Sequence, residues 1–134
     1  MDTSGISSRP RVLIVEDETM LRIVVAECFE QAGFIVIEAG NATEAVDLLL
    51  RPNVQIDIVF TDVRMPGEMD GLGLAAWVQQ HHPKTAVLIT SGELGLGRTH
   101  ADLFDAEHFF AKPYCLDEVV ECVYATLAKK KRAA

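Results

Sequence analysis

Ile58-Val59-Phe60-Thr61-Asp62-Val63-Arg64-Met65-Pro66-Gly67 is the stretch that decides how the rest of the chain is read. Ile56 and Ile58 to Phe60 form a short run of β-branched and aromatic residues, which predicts a buried strand. The run ends in Asp62, and Pro66-Gly67 prevents its continuation. Asp62 therefore falls at the carboxyl end of an interior strand, the edge where open α/β sheets place their ligands. A lone acid there can also be a plain turn residue. Its meaning depends on what the other strand ends bring.

Working outward, the same rhythm repeats on both sides. Val12 to Val15 predicts a first strand, closed by Glu16-Asp17-Glu18. A helix follows, with Thr19 as N-cap and Leu21, Val24, Val25, Cys28, Phe29 and Ala32 on its apolar face. Gly33 stands where a C′ glycine belongs. Phe34 to Ile37 is the second strand. Asn41 with Glu44 three residues on predicts a capping box opening the second helix, which Pro52 stops.

Beyond the central strand, Asp70-Gly71 opens a third helix that ends by Pro83. Ala86 to Ile89 is the fourth strand, running into Thr90-Ser91-Gly92. Gly95 and Gly97 weaken the helical character of 93–105 and predict a short, late-starting or mobile fourth helix. His108 to Phe110 is a brief fifth strand, followed by Lys112-Pro113 and a last helix with Leu116, Val119, Val120, Val123 and Leu127 on one face. Asp117 and Glu118 in its first turn and Lys129 to Arg132 at its end suit the helix dipole. Five strand–helix units with apolar rather than alternating strands predict an α/β domain, a parallel sheet covered on both faces.

The totals agree with one globular domain. The chain has 134 residues, 49% hydrophobic and 24% charged, enough for a real core. A net charge of −8 argues against a nucleic-acid-binding surface. Cys28, Cys115 and Cys122 fit no Cys-x-x-Cys spacing and read as small core residues of a reducing compartment. No apolar run nears the roughly 18 residues of a membrane span, and Met1 to Pro10 lacks the apolar segment of a signal peptide. The expectation is a soluble cytoplasmic protein: a disordered lead-in over 1–10, one domain over 11–128 and a basic tail over 129–134. His81-His82 reads as cationic residues at a helix end rather than as a metal site.

The polar residues now sort by strand end. Glu16 and Asp17 follow the first strand, Asp62 ends the third, Ser91 follows the fourth and Lys112 the fifth. If those strands converge at the switch point of the sheet, three carboxylates, a hydroxyl and an ammonium share a crevice. Three like charges repel one another unless a cation sits among them. Oxygen ligands suit a hard divalent ion, Mg²⁺ above all. Lys112 adds a point charge able to hold an anionic oxygen. Such a set suits a phosphoryl group, with Asp62 as the nucleophile that forms an acyl phosphate.

Val-Glu-Asp-Glu (15–18), Thr-Asp-Val-Arg-Met-Pro-Gly (61–67), Ser-Gly (91–92) and Lys-Pro (112–113) together resemble the receiver domain of two-component response regulators, over residues 11–128. The resemblance implies a doubly wound, flavodoxin-like fold whose five-stranded parallel sheet has the order 2-1-3-4-5. It implies that Asp62 accepts a phosphoryl group from a sensor histidine kinase or a histidine phosphotransfer protein. Asp17, Asp62 and the backbone carbonyl of Arg64 would ligate Mg²⁺, with Glu16 holding a metal-bound water. Lys112 would contact the phosphoryl group and Ser91 would hydrogen-bond to it. Ser91 and Phe109 would act as the switch residues, and Arg64 and Glu93 occupy the positions that tune acyl-phosphate lifetime. Glu16 in place of the commoner Asp and Ser91 in place of Thr are departures from the family pattern, and Thr90 is a neighbouring hydroxyl.

With no output domain after Arg132, the resemblance further implies a stand-alone receiver that acts on a protein target through the surface of the fourth helix, fifth strand and last helix. Its chemistry would be confined to its own phosphorylation and dephosphorylation, so it is not expected to be an enzyme on other substrates. Nucleic acid and membrane are not expected partners, and phosphorylation-dependent dimerisation is left open. Two rival readings compete with this one. A flavin or nucleotide binder needs a loop of free N–H groups after the first strand, where Glu16-Asp17-Glu18 would repel phosphate. A receiver-like docking scaffold would need none of the acids, the hydroxyl or the lysine.

Overall fold

The computed structural model describes residues 9–65, 67–91, 109–111 and 116–133. The strands are β1 (Arg11–Val15), β2 (Ile35–Ala39), β3 (Ile58–Asp62), β4 (Ala86–Ser91) and β5 (Phe109–Ala111). The helices are α1 (Thr19–Gln31), α2 (Ala42–Leu49), α3 (Gly71–His81) and a C-terminal helix (Leu116–Ala133). The strands form one sheet of order β2-β1-β3-β4-β5, with parallel pairing at each junction. This is the flavodoxin-like order expected.

Alternation along each strand feeds two cores. Leu13, Val15, Val59, Val87 and Ile89 pack on one face with Leu49 of α2 and Leu74 and Val78 of α3. Val12, Ile14, Ile58, Phe60 and Leu88 pack on the other with Val25 and Phe29 of α1 and Val119 and Val123 of the C-terminal helix. Both faces of the central strands are thereby covered, which is why β3 is buried at all five positions and its Ile58 to Phe60 read as an unbroken apolar run. Phe29 anchors the second core, meeting Phe34 edge-on at 5.1 Å and lying 5.7 Å from Phe60.

The turn after α1 ends the helix as Gly33 predicts. Gly33 has φ +101°, Phe34 N donates to Phe29 O at 3.0 Å and Gly33 N to Glu30 O at 3.1 Å, a Schellman pair. The three carbonyls exposed by the turn are taken up from elsewhere in the chain. Arg9 donates to Gly33 O and Phe34 O, and the Tyr124 hydroxyl donates to Ala32 O.

Several boundaries differ from the sequence reading. The N-cap of α1 is Glu18, not Thr19: Glu18 is extended and its carbonyl accepts the first helical bond, from Arg22 N at 2.9 Å, so the helix begins one residue earlier. Val24 is exposed rather than core-facing. The buried stripe centres on Val25, Ala26 and Phe29, and one residue is roughly 100° of helix rotation. The Asn41 half of the capping box is present, with Glu44 N donating to Asn41 Oδ1 at 2.8 Å, but Glu44 reaches back to Gly40 N. Arg9 and Pro10 of the expected lead-in are tied to the α1–β2 turn and to Ile35 N. The C-terminal helix carries Lys129 to Arg132 at its end, where the dipole reading placed them. The fourth helix expected in 93–105 lies outside the described residues.

Candidate metal and phosphoryl site

Register brings the acids together. Val15 pairs with Thr61, so the residues that follow, Glu16 on the β1 side and Asp62 at the end of β3, emerge side by side. Glu16 is 7% exposed and Asp62 9%, deep for carboxylates, whereas Asp17 is exposed. One carboxylate oxygen from each of Glu16, Asp17 and Asp62 lies within 4.8 Å of the other two.

Each acid is set by its local backbone. Glu16 N donates to Ala39 O at 3.1 Å, carrying the β1–β2 pairing one residue past the strand. Beyond Asp62, Val63 N donates to Thr90 O at 2.9 Å and Gly71 N to Val63 O at 2.8 Å. The first turn of α3 therefore rests directly on the end of β3. A Cβ added to Gly71 would lie 1.9 Å from the Asp62 carbonyl oxygen, so glycine is required by close approach rather than by dihedral angle. Asp70 caps α3 by accepting from Gly73 N at 2.9 Å. Buried Thr61 donates its hydroxyl to Asp62 O at 3.0 Å. The carbonyl of Asp62 is thus held while its carboxylate faces Glu16 and Asp17.

The donor set fits a small hard cation. All three groups offer oxygen, and an octahedral ion with bonds of about 2.1 Å sets its ligands roughly 3 to 4 Å apart. A spread of up to 4.8 Å accommodates two direct carboxylate ligands with the third reached through a retained water. Asp17 also lines an open cleft of about 420 Å³ with Arg64, Met65 and Asp70. A central strand end thus carries an acid cluster beside an accessible cleft.

A profile of the response regulator receiver domain matches residues 12–124 of the chain. The chain belongs to this family. Sporulation initiation phosphotransferase F of Bacillus subtilis (strain 168) is 30% identical over 122 residues, covering 90% of this receiver and 95% of that protein. The sensor kinase CckA of Brucella abortus (strain 2308) is 31% identical over 128 residues, which are 95% of this receiver but 13% of the kinase. Among solved structures, a response regulator receiver domain protein from Methanospirillum hungatei JF-1 superposes with a TM-score of 0.84 at 21% identity, covering 95% of this receiver and 100% of that chain. That likeness concerns the fold.

The receiver brings Glu16, Asp17 and Asp62 together as the sequence reading required, and exposed Arg64 joins Asp17 in the cleft. Ser91 is the last residue of β4, with its backbone paired to Ala111, while the buried Thr90 stands in register with Asp62. Phe109 pairs with Ile89 through the backbone of β5. Lys112 and Glu93 lie outside the described residues, as do the side chains of Ser91 and Phe109. Trp77 packs on its own core and stacks on His81 at 4.5 Å, and His81 Nδ1 lies 3.0 Å from Trp77 O, a helix-end arrangement. Among the described residues no helix is long and apolar enough to cross a membrane. Sequence reasoning gave no role to Arg22, which reaches the Glu16 carbonyl. Its partners lie on another strand and on the backbone, and neither leaves a local signature.

Proposed function

We propose that Asp62 is the phosphoacceptor of this receiver, that Mg²⁺ is its cofactor and that a phosphohistidine on a sensor kinase or histidine phosphotransfer protein is its donor. The observation that carries the reading is the gathering of Glu16, Asp17 and a nearly buried Asp62 at one strand edge. The family supports it, and two of the relatives are by name a phosphotransferase and a sensor kinase.

In the proposed reaction an Asp62 carboxylate oxygen attacks the donor phosphorus in line. The new O–P bond forms as the N–P bond to the donor imidazole breaks, and its electron pair returns to the ring nitrogen. Bound Mg²⁺ would supply charge neutralisation for the phosphoryl oxygens and for the three acids. Asp17, Asp62 and the Arg64 carbonyl would hold the ion, and Glu16 a water on it. Lys112 would bind a phosphoryl oxygen as a point charge. Ser91 would then close on the phosphoryl group and Phe109 turn inward, shifting the surface of the fourth helix, β5 and the last helix in a two-state manner. Arg64 and Glu93 would set the access of hydrolytic water. The chemistry acts on the protein itself rather than on a separate substrate, the output passes to a protein target, and the cytoplasm is the compartment of such donors.

The test is the intact mass of the protein incubated with a small acyl-phosphate donor, with and without Mg²⁺, beside Asp62→Asn. One added phosphoryl group that requires both Mg²⁺ and Asp62 is expected. No addition, where a control receiver is modified, would favour the docking-scaffold reading.

A further inference from the structure

Arg22 lies one turn into α1, and its guanidinium folds back over the loop that carries the acids. Nη1 donates to the carbonyl oxygen of Glu16 at 2.8 Å, and Nε donates to Glu38 Oε1 at 3.1 Å. The Glu16 carbonyl belongs to the peptide plane whose other end is the nitrogen of Asp17. Fixing that oxygen therefore fixes the plane linking the two acids, and with it the point from which the Asp17 side chain departs. The amide on the other side of Glu16 is held by Ala39 O at 3.1 Å. Glu16 is thus gripped at both of its peptide groups from the end of β2, once by backbone and once through Arg22 anchored on Glu38.

The Arg22–Glu38 pair has side chains 21% and 43% exposed, so as an ion pair it contributes little to stability. Its consequence lies in the loop it restrains. We propose that Arg22 is a positioning residue of the acidic site: by clamping the Glu16–Asp17 peptide to β2 it holds both carboxylates where a divalent cation can use them. It touches neither the ion nor the phosphoryl group. The proposal rests on the reading of the acid cluster as a Mg²⁺ site.

Charge and position predict opposite signs, which makes the proposal decidable. A guanidinium near a dication repels it, so if charge alone mattered, removing Arg22 would tighten Mg²⁺ binding. If Arg22 positions the loop, removing it loosens binding, because groups that orient metal ligands from behind change affinity by about ten-fold or more when lost.

The experiment is a calorimetric titration of Mg²⁺ into the wild type, Arg22→Met and Arg22→Lys, with phosphorylation rates from a small acyl-phosphate donor measured across the same Mg²⁺ range. Arg22→Met should raise the Mg²⁺ Kd by about ten-fold, and its phosphorylation rate should approach that of the wild type at saturating Mg²⁺. Arg22→Lys can keep one of the two bonds and should fall between. Circular dichroism in EDTA checks that the variants fold. Should the Met variant not fold, the Lys variant carries the comparison. A wild type that binds Mg²⁺ beside variants that bind it as tightly or more tightly overturns the proposal alone. A rate deficit that persists at saturating Mg²⁺ with unchanged Kd also overturns it. A wild type that binds no Mg²⁺ removes the metal-site reading and the proposal with it.

Discussion

At Asp62 a carboxylate is kept 9% exposed beside two other acids, an arrangement that costs free energy unless something cationic compensates it. Its main chain is fixed from two sides: Thr61 Oγ1 donates to the carbonyl, and the bonds from Val63 N and to Val63 O hold the next residue. Asp62→Asn keeps the shape and removes the nucleophile, so phosphorylation should vanish while the fold survives. Intact mass and circular dichroism on one sample check both. Lys112→Ala should still bind Mg²⁺ and yet fail to transmit the modification. Amide chemical shifts of β4 and β5 compared before and after phosphorylation measure this, and full wild-type shifts in that variant would count against the proposed role of Lys112.

At the scale of elements, the α3 N-terminus is the part on which the site leans. The first helical residue must be glycine because a Cβ at 71 would press into the Asp62 carbonyl at 1.9 Å. Gly71→Ala should therefore lower stability by about 1–3 kcal/mol or more, the usual cost of overpacking, and should slow phosphorylation because the displaced atom belongs to the acceptor residue. Asp70→Ala removes the helix cap, and a carboxylate from the cleft wall, without any backbone clash, and should cost about 1 kcal/mol of stability. Urea midpoints compare the two, and equal effects would contradict the claim that Gly71 is fixed by contact. Element types were legible in the sequence because short apolar runs mark the strands, longer helically spaced segments mark the helices, and glycine and proline punctuate them. Edges were less so. The second strand extends through Glu38 because that residue pairs with Ile14 on the backbone while its side chain finds Arg22, a partner 16 residues earlier. Val24 looked apolar enough for the core, but the stripe that meets the sheet is set by Val25 and Phe29, and a single-residue rotation is invisible in composition.

Across the whole molecule, the apolar strands point to a covered parallel sheet and the family resemblance implies its order; the site follows from that order, because strands 1 and 3 are neighbours and acids at their carboxyl ends meet. This was the readable part of the site. The clamp from Arg22 was not, because a side chain that captures a distant carbonyl leaves no spacing to detect. The proposed Mg²⁺ site would also couple metal binding to stability. Mg²⁺ at a hundred times its Kd should stabilise the fold by about 2.7 kcal/mol, roughly 10 °C in thermal midpoint for a domain of this size. EDTA should abolish the gain, and Asp17→Asn should reduce it. Scanning calorimetry with and without Mg²⁺ checks this.

The most direct test of Asp62 as acceptor is to trap the acyl phosphate with borohydride and locate the reduced residue by peptide mass mapping. Reduction converts a phosphorylated aspartate to homoserine, and the modification should fall at position 62 and depend on Mg²⁺. Homoserine at position 17 or 70, or at no aspartate in protein shown to carry the phosphoryl group, would contradict the account.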